Sequence, residues 1–309
     1  MATATPVRGS AETLRLDGIK RSPKGLRRYL THTSFRRLVQ LGFAAFIAYV
    51  TVVQVVVGEG GGTIVASPEA FCPFGGLESL WRFVTSSGKT LPHTHLSNMV
   101  LAGAFLLTAL LARLAFCGWI CPFGFLQELT SGFSAMLQKR VPAIRKAIRA
   151  IERSGAGLAV IDRPLRFLKY AVLAWSVTGA AYFGVMVFRD YDPWAALLTI
   201  ADPSFSFGLA VLIVVLVASF FVERPWCRYA CPLGAAGGLV AKLSPVYLNR
   251  EESACKSCAA CSVGCPMGLN VHAATRIDHL DCIGCLECID SCPRRGALEL
   301  KVGLPIVGN

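Results

Sequence analysis

Charge is scarce in these 309 residues: Asp, Glu, Lys and Arg together make up 16% of the chain, against about 25% in soluble globular domains. With apolar residues at 54%, this is not the composition of a surface that faces water on all sides, and disorder, collagen and coiled coil are excluded as well. Acidic residues are the scarcer sign, 19 against 31 basic ones. A basic excess suits either a nucleic acid or an anionic membrane surface, and the placement of the charges decides between them. No glycine-rich loop follows a predicted strand, so dinucleotide and kinase fingerprints are missing. Nothing in the chain has the pattern of a hydrolase.

Long apolar runs are what the sequence has in abundance. A bilayer core of about 30 Å needs around 20 mostly apolar residues in a helix, because only hydrogen-bonded backbone is stable there. Four stretches qualify: Leu38 to Val57, Leu96 to Phe116, Leu168 to Val187 and Phe205 to Val222. Core helices of a soluble protein are the alternative, and the match of all four runs to the span length decides against it. Arg113 and Lys169 lie near span ends, where a long side chain reaches the interface.

Nine basic residues, Arg8 to Arg37, precede the first span, eight lie from Lys139 to Arg166, and nine follow the fourth. The two remaining loops hold Arg82, Lys89 and Arg189 beside Glu59, Glu69, Glu78, Asp190, Asp192 and Asp202. This asymmetry puts both termini in the cytoplasm. It also assigns the charge of +12 to loops drawn to anionic lipid, so the bilayer is the partner and nucleic acid is not. Ser34-Phe35-Arg36-Arg37 ahead of an apolar run is similar to a twin-arginine signal. The run is longer than a signal-peptide core of roughly 7–15 residues and no small-x-small site follows, so it reads as an uncleaved span with a basic flank.

The thirteen cysteines fall into three kinds of site. Cys255-x2-Cys258-x2-Cys261-x3-Cys265-Pro266 is repeated as Cys282-x2-Cys285-x2-Cys288-x3-Cys292-Pro293. Each run has the bacterial ferredoxin spacing for a [4Fe–4S] cluster, in which the fourth cysteine ligates the other run's cluster. One cluster is therefore expected on Cys255, Cys258, Cys261 and Cys292, and the other on Cys282, Cys285, Cys288 and Cys265. Zinc also takes Cys-x2-Cys pairs, but two complete ferredoxin registers favour iron–sulfur, and a disulfide scaffold does not suit the reducing side of a membrane.

The second kind is Phe116-Cys117-Gly-Trp-Ile-Cys121-Pro122, echoed by Trp226-Cys227-Arg-Tyr-Ala-Cys231-Pro232, each ending an even-numbered span. The chain thus reads as a duplicated two-helix unit with Cys-x3-Cys-Pro corners. Residues i and i+4 share a helix face, so each pair is expected to point two sulfurs one way, and each proline to open a new helix. Leu126, Leu129, Phe133 and Leu137 then recur at helical spacing, as in a helix lying on the membrane surface. The corner cysteines either hold an additional metal or Fe–S centre, form reversible dithiols, contact a cofactor, or pack as small soft residues.

Cys72 stands alone on the outer side, and its Cys72-Pro73 pairs with Asp192-Pro193 in the second half. Both loops read as short re-entrant or interfacial turns that bring a polar group to the outer mouth. Cys72 serves there in a quinone or cofactor site, or packs in a turn. His93 and His95 suit axial haem ligation, proton relay from quinol, or no function at all. His272 and His279, between the cluster runs, read as linker residues.

Two cytoplasmic cubanes pass single electrons but do not reach across a ~30 Å insulator. A quinol, which carries two electrons and two protons within the bilayer, completes the circuit, and a site near the outer acids releases the protons outward. With four spans, paired corners and a terminal two-cluster ferredoxin, the chain from about Leu38 to Leu300 resembles the NapH family. That family is the membrane quinol-dehydrogenase subunit of periplasmic nitrate reductase systems, with related domains in the regulator NosR. The resemblance implies a bacterial inner-membrane protein that oxidises quinol from the quinone pool and passes electrons to a partner redox protein: an exported reductase, cytochrome, flavoprotein or second ferredoxin subunit. It also implies that Cys117, Cys121, Cys227 and Cys231 are essential. The same corners occur in CcoG-like oxidase-assembly proteins that reduce copper, which is the alternative function.

The expected fold is an all-α membrane protein, four transmembrane helices built as a duplicated pair, plus a C-terminal α+β bacterial-type two-cluster ferredoxin domain. Residues 1–37 form a basic cytoplasmic segment, 38–250 the membrane domain, 251–301 the ferredoxin domain and 302–309 a tail.

Overall fold

A computed structural model describes residues 31–57, 72–85, 96–146, 148, 162–198, 207–294 and 296–303. The expectations for His93, His95, most of the N-terminal basic segment and the end of the tail lie outside these residues. Along the chain run α1 (His32–Val57), α2 (Pro73–Thr85), α3 (Leu96–Ala112), a π-helical turn (Phe116–Ile120) and α4 (Pro122–Arg140). After them come α5 (Leu168–Phe183), α6 (Pro193–Leu198), α7 (Phe207–Ala218), α8 (Pro225–Tyr229) and α9 (Pro232–Ala241). The C-terminal part holds β1 (Val246–Arg250), α10 (Ala260–Val263), β2 (Arg276–Ile277), α11 (Glu287–Ser291) and β3 (Leu298–Val302).

Among the described residues, one helix, α1, is long and apolar enough to cross a membrane. The other expected spans are shorter as helices, at 17 residues for α3, 16 for α5 and 12 for α7. Local backbone explains two of these ends. Helix α3 stops because Arg113 takes a left-handed conformation, φ 60°, and α5 stops at a left-handed Gly184 whose N–H caps the Ala180 carbonyl. Hydropathy along a run does not register either turn.

The chain divides into two compact units. One combines residues 42–107 with 122–236 and is helical. Several of its helices turn small or polar residues inward and large apolar residues outward. Ser176, Gly179 and Ala180 of α5 are buried, while Trp175, Tyr182 and Phe183 face outward. On α7, Gly208, Leu212 and Val215 are buried while Phe207, Ile213, Val214 and Val217 are exposed. The α4 stripe keeps Leu129, Phe133 and Met136 outside, while Ser131 and Ser134 reach the carbonyls of Ser219 and Phe220 at 2.7 and 2.8 Å. Small and polar residues between helices with large apolar residues outside is the pattern of packing in lipid, whereas water would leave a large apolar patch exposed.

The other unit combines residues 1–41, 108–121 and 237–309. Its three strands form an antiparallel sheet in the order β2-β1-β3, with Leu248 opposite Ile277 on one side and Leu300 on the other. Leu248, Met267, Leu269, Val271, Ile277, Ile283, Ala297 and Leu298 form its apolar core. The first turn of α1 is clamped to α11: Asp290 accepts from the Thr33 amide at 2.7 Å and hydroxyl at 2.6 Å, and pairs with His32 at 3.0 Å.

Three basic residues depart from the sequence reading. Arg36, expected in a basic flank drawn to anionic lipid, is buried and pairs with Glu287 at 3.4 Å. Arg113, expected at the interface, is buried and donates to the His279 carbonyl at 2.6 Å. Lys169 is also buried, 5.3 Å from the Tyr170 ring centre. Each guanidinium serves carbonyl or carboxylate groups of its own fold.

Candidate functional site

The two cysteine runs fold alike. In the first, Ser257 and Ala259 have φ of 50° and 55°; at the same places in the second, Gly284 and Leu286 both have φ of 58°. A short helix follows each, α10 and α11. Left-handed residues alternating with ordinary ones turn successive amides toward one side, forming a nest for an anionic group; the Ser257 N–H lies 3.4 Å from Cys255 Sγ.

The structure gathers the eight cysteines into two sets of four. Cys255, Cys258, Cys261 and Cys292 line one cavity of about 360 Å³, together with His272 and Arg250. Cys265, Cys282, Cys285 and Cys288 line another of about 350 Å³. The fourth cysteine of each run thus sits with the other run's three. His272 has a place the linker reading gave no hint of: its ring and its amide both meet the Ser262 hydroxyl, at 3.0 and 2.9 Å, on the wall of the first cavity.

Four thiols around a cavity are the donor set of an iron–sulfur cube. Burial, with the charge of Cys292, pushes the Cys261 thiol up to about 11. Burial does the same for Cys265. It raises Cys285 and Cys288 further still, helped by the neighbouring sulfurs. Such crowded thiols ionise together only around a strongly cationic core, which deprotonates coordinating thiols outright. No group of three or more His, Cys, Asp or Glu among the described residues closes tightly enough for a single metal ion.

The first corner packs on the second cluster loop. A Cβ on Gly118 would lie 2.3 Å from the Ile283 carbonyl oxygen, so only glycine permits this approach. Trp119 Nε1 donates to the Gly284 carbonyl at 3.0 Å, and Gln40 Nε2 to the Gly118 carbonyl at 2.9 Å. The second corner is held from α4. Gln127, fully buried, accepts from the Trp226 amide at 3.1 Å and donates to Cys227 Sγ at 3.5 Å. Arg224, at φ 51°, pairs with Glu128 at 2.9 Å.

Both corners close with the same i to i−5 bond, from Cys121 to the Phe116 carbonyl at 3.0 Å and from Cys231 to the Trp226 carbonyl at 2.9 Å. Cys121 and Cys231 therefore stand past the end of their helical turns, and the shared helix face expected for each pair is not formed. Pro122 and Pro232 open α4 and α9.

Cys72 and Asp192 line one cavity of about 470 Å³ with Glu78, Asn98, Phe74, Met186, Phe188, Arg189 and Trp194. Helix α2 brings Glu78, α3 brings Asn98, and the turn before α6 brings Asp192, which accepts from the Trp194 amide at 3.0 Å. Glu78 and Asn98 are buried, and Glu78 Oε1 and Asn98 Oδ1 have no hydrogen-bond partner among the described residues. Burial, then the charge of Asp192, raises the Glu78 carboxyl to about 8, and burial raises Asp192 to about 7. Burial and the Asp192 charge push the Cys72 thiol up to about 12, so it remains a neutral thiol. Phe188 packs edge-on against Phe74 at 5.1 Å and stacks on Trp226 of the second corner at 6.2 Å.

Glu78 and Asn98 carry no motif that would single them out from the sequence. Glu78 is one of six acids in the two outer loops, and Asn98 is one polar residue at the start of an apolar run.

The family described as 4Fe-4S binding domain matches residues 94–141 and again 206–250, so each match encloses one corner. The 4Fe-4S dicluster domain matches residues 247–293. The chain is 30% identical to YccM of Escherichia coli over 288 residues, 88% of this chain and 76% of that one. It is 25% identical to the ferredoxin-type protein NapH of Haemophilus influenzae over 227 residues, 68% and 71% of the two chains. With the regulatory protein NosR of Pseudomonas aeruginosa it shares 31% over 188 residues, 59% of this chain and 25% of the relative. No solved structure matches.

Proposed function

The chain belongs, alongside YccM, to the NapH-like polyferredoxins related to NosR, and from that premise we propose that it is a membrane-bound carrier taking electrons from quinol to a partner redox protein. It is an iron–sulfur electron-transfer protein of this family; the quinol, the partner and the ligand assignments are the proposal. Cys255, Cys258, Cys261 and Cys292 hold one [4Fe–4S] cluster, and Cys265, Cys282, Cys285 and Cys288 the second. Each cluster, when bound, supplies a one-electron store whose potential depends on its surroundings.

The observation that carries this reading is the crosswise gathering of eight cysteines around two cavities. The contact of Gly118 and Trp119 with the second cluster loop supports a relay role for the first corner. The outward-facing apolar side chains of α4, α5 and α7 support a membrane setting with four spans, and the clustering of basic residues supports cytoplasmic termini.

Anaerobically purified protein is expected to hold about eight irons per chain, with cluster signals that respond to added quinol. Protein without iron would overturn the assignment. Clusters indifferent to every quinol in protein that reduces cupric ion would replace the function with metal reduction.

A further inference from the structure

The cavity formed by Cys72, Glu78, Asn98, Phe188, Asp192 and Trp194 belongs to neither cluster. It has the features of a small-molecule site: a largely apolar wall with a few convergent polar groups. Two of those groups, Glu78 Oε1 and Asn98 Oδ1, are buried without a partner among the described residues. An unsatisfied buried acceptor destabilises a fold by about 1–3 kcal/mol, and a ligand with hydroxyl donors would relieve both at once. We propose that this cavity binds the quinol headgroup, with Asn98 orienting it, Glu78 and Asp192 accepting its two protons, and Phe188 and Trp226 leading away from it toward the second corner.

This assignment rests on the quinol reading above and deepens it. The ring would lie among the apolar side chains of Phe74, Met186 and Phe188. Oxidation breaks the two quinol O–H bonds and leaves the quinone. One proton goes to Glu78 Oε1 and the other to the Asp192 oxygen that Trp194 does not engage. The two electrons leave singly to one-electron iron–sulfur acceptors, each reduced by one. A carboxylic acid with an ordinary pKa is a weak base near neutrality; a desolvated carboxylate is a stronger one, better matched to this task. The other titratable groups here are Cys72, which stays neutral, and the cations Arg189 and Arg82. Arg82, one helical turn from Glu78, donates to the Ala181 carbonyl.

The test uses the full-length protein in detergent, with its clusters intact. Decylubiquinol-driven cluster reduction is followed by stopped-flow absorbance in wild type, Glu78→Gln and Asp192→Asn, with dithionite reduction and EPR as controls. Both variants are expected to keep their dithionite-reduced signals and to lose about 100-fold in the quinol-driven rate, the usual scale for a removed proton acceptor. The wild-type rate should climb between about pH 6 and 9 as the two acids ionise, and each variant should lose one limb of that rise. A photoreactive azidoquinone should label peptides around Cys72–Arg82 and Met186–Trp194. Variants at full rate, or label confined elsewhere, would overturn the site while leaving quinol oxidation standing. Wild-type clusters that dithionite reduces and quinol does not would overturn both.

Discussion

Replacing Gly118 with alanine tests how the first corner meets the second cluster loop. The new Cβ would sit 2.3 Å from the Ile283 carbonyl oxygen, and carbon-to-oxygen contacts settle near 3.3–3.6 Å. The corner must therefore retreat by about 1 Å. That displacement stretches the Trp119–Gly284 and Gln40–Gly118 hydrogen bonds, now 3.0 and 2.9 Å, past the roughly 3.5 Å at which such bonds stop counting. Losing the first removes about 0.5–1.5 kcal/mol, and stranding the buried Gln40 amide costs about 1–3 kcal/mol. The sum, about 1.5–4.5 kcal/mol, corresponds to roughly 10- to 2,000-fold in the equilibrium for opening that loop. Anaerobic bleaching of the iron–sulfur absorbance by a chelator measures the opening. The Gly118→Ala protein should bleach faster by that factor in the second cluster, and Trp119→Phe by about tenfold or less. Bleaching of Gly118→Ala at the wild-type rate would show that the two segments do not hold each other.

Three further outcomes follow from the geometry. Cys265→Ser should produce the same EPR loss as Cys285→Ser and not that of Cys258→Ser, since Cys265 lines the second cavity; loss of the first cluster would contradict crosswise ligation. Cys121→Ser should leave both clusters spectroscopically present and halt quinol-linked transfer, and normal turnover would remove the corner from the electron path. Burial raises the Asp162 carboxyl, but the Tyr229 hydroxyl at 2.6 Å, with Arg228 at 2.7 Å and Arg166 at 3.0 Å, outweighs it and holds the group below its ordinary value. A depressed carboxyl contributes stability above its unfolded pKa of about 4 and loses it as pH falls through the folded value. The thermal stability gap between wild type and Asp162→Asn should accordingly hold from pH 8 to about 5 and shrink progressively as pH falls below about 4; a gap that began to shrink at neutral pH, or grew on acidification, would be inconsistent with this.

The cluster loops were legible because their chemistry is local: three thiols around a cube must lie within one short loop, so spacing encodes them. The pairing of Cys72-Pro73 with Asp192-Pro193 likewise pointed to loops that do line one cavity. Glu78 and Asn98 were hidden because a helix brings each from a distance and neither has a partner in sequence. Hydropathy misjudged Arg36, Arg113 and Lys169 for a related reason. It averages over a run, and whether a cation reaches lipid headgroups or an internal carbonyl depends on what packs beside it. One signal was available: Arg36 and Gln40 lie one turn apart at the start of a long apolar helix, marking a face that meets protein.

The clamp between His32, Thr33 and Asp290 joins groups separated by 258 positions. Synthesis runs from the N-terminus, so the beginning of α1 leaves the ribosome long before its anchor exists. Docking there waits for almost the entire polypeptide, and an early truncation would leave the start of that helix without its mooring. Maturation consequently has an order: the amino-terminal rod comes first, and the latch that fastens it to the electron-carrying tail closes only once Asp290 has been made.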